Sequence, residues 1–88
     1  MDLETLRKSI DRIDGEIVSL LAERYAVVKK IGEEKKRLGL PARVPEREAA
    51  LLAKLKEQSR QTGLPPEIVE SVYCAIMDCA VRLESEEE

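Results

Sequence analysis

The chain contains no histidine, tryptophan or phenylalanine, and its only aromatic side chains are Tyr25 and Tyr73. Without imidazole, zinc sites and histidine-based acid–base chemistry are excluded. With so few aromatics the core has to be aliphatic, and a base-stacking nucleic-acid surface is not expected. A net charge of −3 also argues against a binder of phosphate backbones. Cys74 and Cys79 fall in one helical run, about 140° apart around its axis, and do not readily bridge within it. Both are expected as small core residues. No segment approaches the roughly 20 apolar residues of a membrane span, and the opening MDLETLRKSID has no apolar run fit for a signal peptide. The expected setting is a reducing cytoplasm.

What is present is a helical pattern. The 88 residues are 43% hydrophobic and 38% charged, which suits one helical domain spanning 1–88. Leu3, Leu6, Ile10, Ile13, Ile17, Leu20, Val27, Ile31 and Leu38 recur at alternating intervals of three and four, the signature of one continuous helical stripe. No proline interrupts it. Gly15 and Gly32 each weaken a helix by roughly 1 kcal/mol relative to alanine, but the stripe runs through both. A helix over about 2–38 is predicted, with Asp2 as its N-cap, Glu4 in the first turn, Lys35, Lys36 and Arg37 in the last, and Gly39 as its stop.

Such a rod is about 54 Å long at roughly 1.5 Å per residue, whereas a compact domain of this length has a radius of gyration of only ~12 Å. Part of the stripe therefore needs a second chain to cover it.

Leu40 to Val44 reads as a short loop. Pro45 suits the first position of a second helix over about 45–61, with Leu51, Leu52 and Leu55 on its apolar face. Glu48 stands on that same face. Thr62 and Gly63 end the helix, and a third helix is predicted over about 67–84. It is apolar around most of its circumference and is expected to be the most buried element. Glu84 closes its apolar face, and residues 85–88 form an acidic tail at the unfavourable end of the helix dipole, where fraying is expected.

The charges carry the functional signal. The register Ile17, Leu20, Arg24, Val27 puts a guanidinium where an aliphatic belongs, and a buried cation requires an anion. That anion is either a carboxylate of the chain, such as Glu48, or a ligand. Arg24 and Lys35 return to nearly the same face three turns apart, about 16 Å along the axis, so two long side chains can converge on a small anion. Arg7 is about 25 Å from Arg24 along the helix and cannot join them within one chain. In an antiparallel pair of long helices it can. Taken singly, Arg7, Lys35, Arg47 and Glu48 also read as ordinary solvated surface charges.

Leu6-Arg7, Ile13-Asp14, Leu21-Ala22-Glu23-Arg24, Ile31-Gly32-Glu33-Glu34-Lys35 and Pro45-Glu46-Arg47-Glu48 together resemble the all-helical class of chorismate mutases, over nearly the whole chain. The resemblance implies an all-α fold of three helices per chain, arranged as an intertwined antiparallel homodimer with two sites. It implies that Arg7 from one chain and Arg24 from the other hold the two carboxylates of chorismate. Lys35 reaches a carboxylate and the ether oxygen, Arg47 supports the site, Glu48 accepts the ring hydroxyl, and the main chain at Val44 borders the ring. The position of Glu84, often glutamine in the family, donates to the ether oxygen, so Arg24, Lys35 and Glu84 are the expected catalytic residues. The rearrangement to prephenate, a step toward phenylalanine and tyrosine, is unimolecular and pericyclic and implies no cofactor or metal.

Three positions depart from the family pattern. Val44 replaces an aspartate that often caps the second helix, Ala80 replaces a residue that often bears a hydroxyl, and Glu84 has to be protonated to donate a hydrogen bond. An isochorismate pyruvate lyase and a non-catalytic dimerisation module are the other readings. The length leads one to expect no fused dehydratase or dehydrogenase, and a separate partner enzyme is left open.

Overall fold

The computed structural model describes residues 2–86 as three helices, α1 (Leu3–Leu38), α2 (Pro45–Thr62) and α3 (Pro66–Glu86). Each boundary falls within two residues of its expected place. The helix expected to fray from residue 85 continues through Glu86; residues 87 and 88, like Met1, lie outside the described residues.

Local chemistry sets the helix ends. Asp2 has extended backbone, and its carboxylate accepts a hydrogen bond from the Thr5 amide at 2.8 Å, satisfying one of the orphan donors of the first turn. At the other end Gly39 takes a left-handed φ of 71°, which costs a residue without Cβ nothing. The Leu40 amide then reaches back to the Lys35 carbonyl at 2.8 Å and the Gly39 amide to the Lys36 carbonyl at 3.2 Å, the paired closure that satisfies the last carbonyls of a helix. Gly63, also left-handed, ends α2 with its own amide and that of Leu64 both donating to the Ser59 carbonyl. Pro45 opens α2, but Val44 before it offers no side-chain cap.

α3 packs against both α1 and α2, and α1 and α2 do not pack on each other. The buried apolar residues Val28, Val69 and Met77 lie along this central helix and the second half of α1. A Lys56–Glu70 ion pair of 2.8 Å adds a polar tie between α2 and α3.

The first half of α1 has no such cover. Every residue from 2 to 23 is exposed, including Leu3, Leu6, Ile10, Ile13, Ile17 and Leu20 on the apolar stripe. The molecule is correspondingly stretched, 54 × 24 × 15 Å with a radius of gyration of 16.0 Å. As expected, α3 is the most buried of the three helices, holding Val69, Met77 and Glu84. The expectation for Cys74 and Cys79 fails in the single chain: both are exposed, as are Ile68 and Val72 on the same helix. The reason is geometric: two neighbouring helices flank α3 on two sides and leave the rest of its surface open.

Candidate active site

Where the second half of α1, the 39–44 loop and the start of α2 meet the end of α3, they enclose a cavity of about 210 Å³. α1 contributes Arg24, Val28, Ile31 and Lys35, the loop Ala42 and Val44, α2 Arg47, Glu48 and Leu51, and α3 Met77, Ala80, Val81 and Glu84. The structure thus brings Arg24, Lys35, Val44, Arg47, Glu48 and Glu84 to one cavity. Arg7 is not among its lining residues; it stands in the exposed half of α1.

Helical repetition explains the α1 contribution. Arg24, Val28, Ile31 and Lys35 follow one another at intervals of four, three and four, so all four project from one face. Lys35 is held from two sides: its amine donates to the Ala42 carbonyl at 2.7 Å and lies 2.8 Å from Glu84 Oε1. Glu84 is only 8% exposed. Its Oε1 is at ion-pair distance from the amine but off hydrogen-bond angle, so this buried oxygen has no hydrogen-bond partner.

The close approach of α3 to α1 here depends on Gly32, which is buried. A Cβ on Gly32 would stand 3.1 Å from Glu84 Cγ. Glycine at this point of a long helix is a signal of close packing legible in the sequence, although the partner it admits is not.

Glu48 and Arg24, offered above as one possible pair, are not paired. Glu48 Oε1 accepts from Arg43 Nη1 at 2.7 Å, while Arg43 Nη2 donates to Asp78 Oδ1 at 2.6 Å. The Asp78 hydrogen bond, with Glu48 adding to it, raises the Arg43 pKa above its ordinary value. Arg43 and Asp78 are the residues that sequence reasoning missed, since neither lies on an apolar stripe. Among the described residues, no carboxylate stands within ion-pair distance of Arg24 or Arg47. The cavity therefore presents two guanidiniums that no carboxylate among the described residues pairs with, beside two carboxylates that already have cationic partners.

A second cavity, of about 290 Å³, shares Arg24, Val28 and Ala80 and is otherwise lined by Leu21, Tyr25, Ala75, Ile76, Cys79 and Leu83. It is the larger of the two, yet the charges converge on the smaller. Arg24 stands at the junction, half-buried.

Three helices thus bring two guanidiniums, neither paired with a carboxylate among the described residues, to the lining of one small cavity. The chain belongs to the chorismate mutase type II family, whose model matches residues 6–85. It is 42% identical over 76 residues to the T-protein of Enterobacter agglomerans, which covers 86% of this chain and 20% of that protein. It is 41% identical over 86 residues to the bifunctional chorismate mutase/prephenate dehydratase of Aquifex aeolicus, covering 94% of this chain and 24% of that one. The chain thus spans about a fifth to a quarter of the length of these two relatives. Among solved structures, chorismate mutase (form II) of Thermus thermophilus superposes with a TM-score of 0.90 at 34% identity, covering 98% of this chain and 97% of that one. No described helix is long and apolar enough to cross a membrane.

Proposed function

We propose that the chain is a chorismate mutase, converting chorismate to prephenate for aromatic amino-acid biosynthesis in the cytoplasm, and that it works as an antiparallel homodimer of single-domain protomers. The observation that carries this reading is the pair of guanidiniums, Arg24 and Arg47, without a carboxylate partner among the described residues, in a cavity that also holds Lys35, Glu48 and Glu84.

The dimer follows from the uncovered stripe. Most of the stability of a helix in a protein comes from packing of its apolar face, and each leucine or isoleucine taken from water contributes roughly 1.5–3 kcal/mol. A second copy crossing antiparallel covers both stripes at once, because a two-fold interface is self-complementary. The same crossing brings the partner subunit's Arg7 toward Arg24, completing a clamp for two carboxylates.

The reaction needs no nucleophile: one C–O ether bond breaks as one C–C bond forms within the same molecule. The protein contributes by holding the compact conformer and by stabilising negative charge on the breaking ether oxygen. Arg24 and the partner subunit's Arg7 grip the carboxylates, Arg47 adds positive potential, Glu48 accepts the ring hydroxyl, and the Val44 main chain walls the ring. Lys35 turns from Glu84 to a substrate carboxylate and the ether oxygen. Glu84 occupies the position that donates a hydrogen bond to the ether oxygen, which a carboxyl group does through its O–H.

The test is turnover: purified protein incubated with chorismate loses the substrate absorbance and forms prephenate. Arg24→Ala lowers kcat/KM by at least about a hundredfold, the scale on which a single oxyanion-stabilising donor acts. A folded dimer that leaves both chorismate and isochorismate unchanged overturns the enzymatic reading, and turnover of isochorismate alone replaces it with the lyase.

A further inference from the structure

Arg43 belongs to neither helix flanking it, yet it makes the only side-chain bridge in which one guanidinium joins two different helices among the described residues. Its Nη1 holds Glu48 Oε1 at 2.7 Å on α2, and its Nη2 holds Asp78 Oδ1 at 2.6 Å on α3. The residue after it, Val44, starts α2 without a side-chain cap, so the loop at this edge of the cavity is fixed by Arg43, together with the Lys35 bond to the Ala42 carbonyl, rather than by the usual capping hydrogen bond. We propose that Arg43 is a positioning residue of the site: it aims the Glu48 carboxylate, ties the 42–44 loop to α3, and offsets the negative charge that Glu48 presents to an incoming dianion. This rests on the mutase reading for what the dianion is, but not for the bridge itself.

Two features argue for a role in the site beyond surface pairing. Glu48 lines the cavity and its side chain is only 22% exposed, whereas Asp78 is 63% exposed. The bridge thus runs from solvent into the cavity wall. It also requires a guanidinium, because two Nη groups in a fixed plane can serve two carboxylates at once and an ammonium point charge holds them less well. Asp78 is then an anchor that acts through Arg43.

The experiment compares Arg43→Ala, Arg43→Lys, Asp78→Asn and the Arg43→Ala/Asp78→Asn double variant with the wild type in chorismate turnover, with thermal unfolding as the check on folding. Arg43→Ala is expected to lower kcat/KM by about tenfold, chiefly through KM, because a misaimed and unshielded carboxylate opposes binding of a dianion. Arg43→Lys recovers part of that loss. Asp78→Asn, on an exposed residue, causes a smaller rise in KM, and the double variant is no worse than Arg43→Ala alone. Unchanged KM in Arg43→Ala, or additive effects of the two substitutions, overturns the proposal. A wild type inactive on chorismate overturns the mutase reading alone. The ¹³C resonance of the Glu48 carboxyl then decides for Arg43, moving in Asp78→Asn and Arg43→Lys if the bridge aims it and standing still if it does not.

Discussion

Gly32→Ala separates helix stability from site geometry, because the two effects of the added methyl have opposite signs. In a helix interior, alanine is favoured over glycine by about 1 kcal/mol. At this position the new Cβ stands 3.1 Å from Glu84 Cγ, 3.5 Å from its Cβ and 3.6 Å from its Cα. The first contact is too tight by a few tenths of an ångström, and Glu84 is buried against α1 with its carboxylate beside Lys35. Overpacking of this kind costs about 1–3 kcal/mol. The net change in stability lies between about zero and 2 kcal/mol of destabilisation, the difference of the two figures. Activity is affected differently. A displacement near 1 Å at a reacting centre costs about a hundredfold, so a shift of a few tenths at Glu84 lowers kcat/KM by about 3- to 10-fold.

Gly15→Ala is the matched control, with nothing within 4 Å of its new Cβ. It sits about 200° around α1 from Ile13, away from the apolar stripe. It gains the propensity alone, so its melting temperature rises by about 4–8 °C at fixed protein concentration, with kcat/KM unchanged. Calorimetry and chorismate turnover on the same preparations give both numbers. If Gly32→Ala is stabilised as much as Gly15→Ala and turns over like the wild type, the close approach of α3 to α1 is not what seats Glu84.

Three further outcomes follow from other parts of the molecule. Because Glu84 lines the cavity where a hydrogen-bond donor to the ether oxygen belongs, Glu84→Gln, whose amide N–H donates, keeps turnover while Glu84→Ala lowers kcat/KM; equal values for the two variants remove Glu84 from this role. Ile13→Glu places a charge in the exposed stripe of α1, converts the proposed dimer to monomer in sedimentation and abolishes turnover by withdrawing the partner subunit's Arg7; an intact, active dimer contradicts the assembly. At the start of α1, the Thr5 backbone hydrogen bond lowers the Asp2 pKa below its ordinary 3.8. The stabilisation from this cap is present above the ordinary value and is lost as pH falls through the lowered one. The melting temperature of the wild type therefore falls toward that of Asp2→Asn as melts are taken below about pH 4; a constant gap between the two rejects the linkage.

Much of the site could be read before any coordinates, for a physical reason. Arg24 and Lys35 share the face of a single helix, and the 3.6-residue repeat fixes that relation without reference to the rest of the fold. Glu48 and Glu84 each sit on an apolar face and therefore have to point inward wherever their helices pack. Which carboxylate answers which cation was not legible in this way. Arg24 and Glu48 looked like partners by proximity to apolar faces, but Arg43, 35 positions before Asp78 in the chain, takes Glu48 instead. The expected burial of Cys74 and Cys79 failed on the same ground, since an apolar circumference says that a helix seeks neighbours but not how many it finds within its own chain.

By itself, the sequence determined where α1 and α2 begin and end, through Asp2, Gly39, Pro45 and Gly63, and that α1 outruns the body of one chain. Those properties depend on hydrogen bonds and side-chain directions within a few residues of each position. Only the tertiary structure decided that α3 lies between α1 and α2, that Glu84 comes to Lys35 over Gly32, and that Arg24 and Arg47 meet no carboxylate among the described residues. These are distances between helices, set by how aliphatic faces interlock, and no periodicity along a single strand of sequence encodes them.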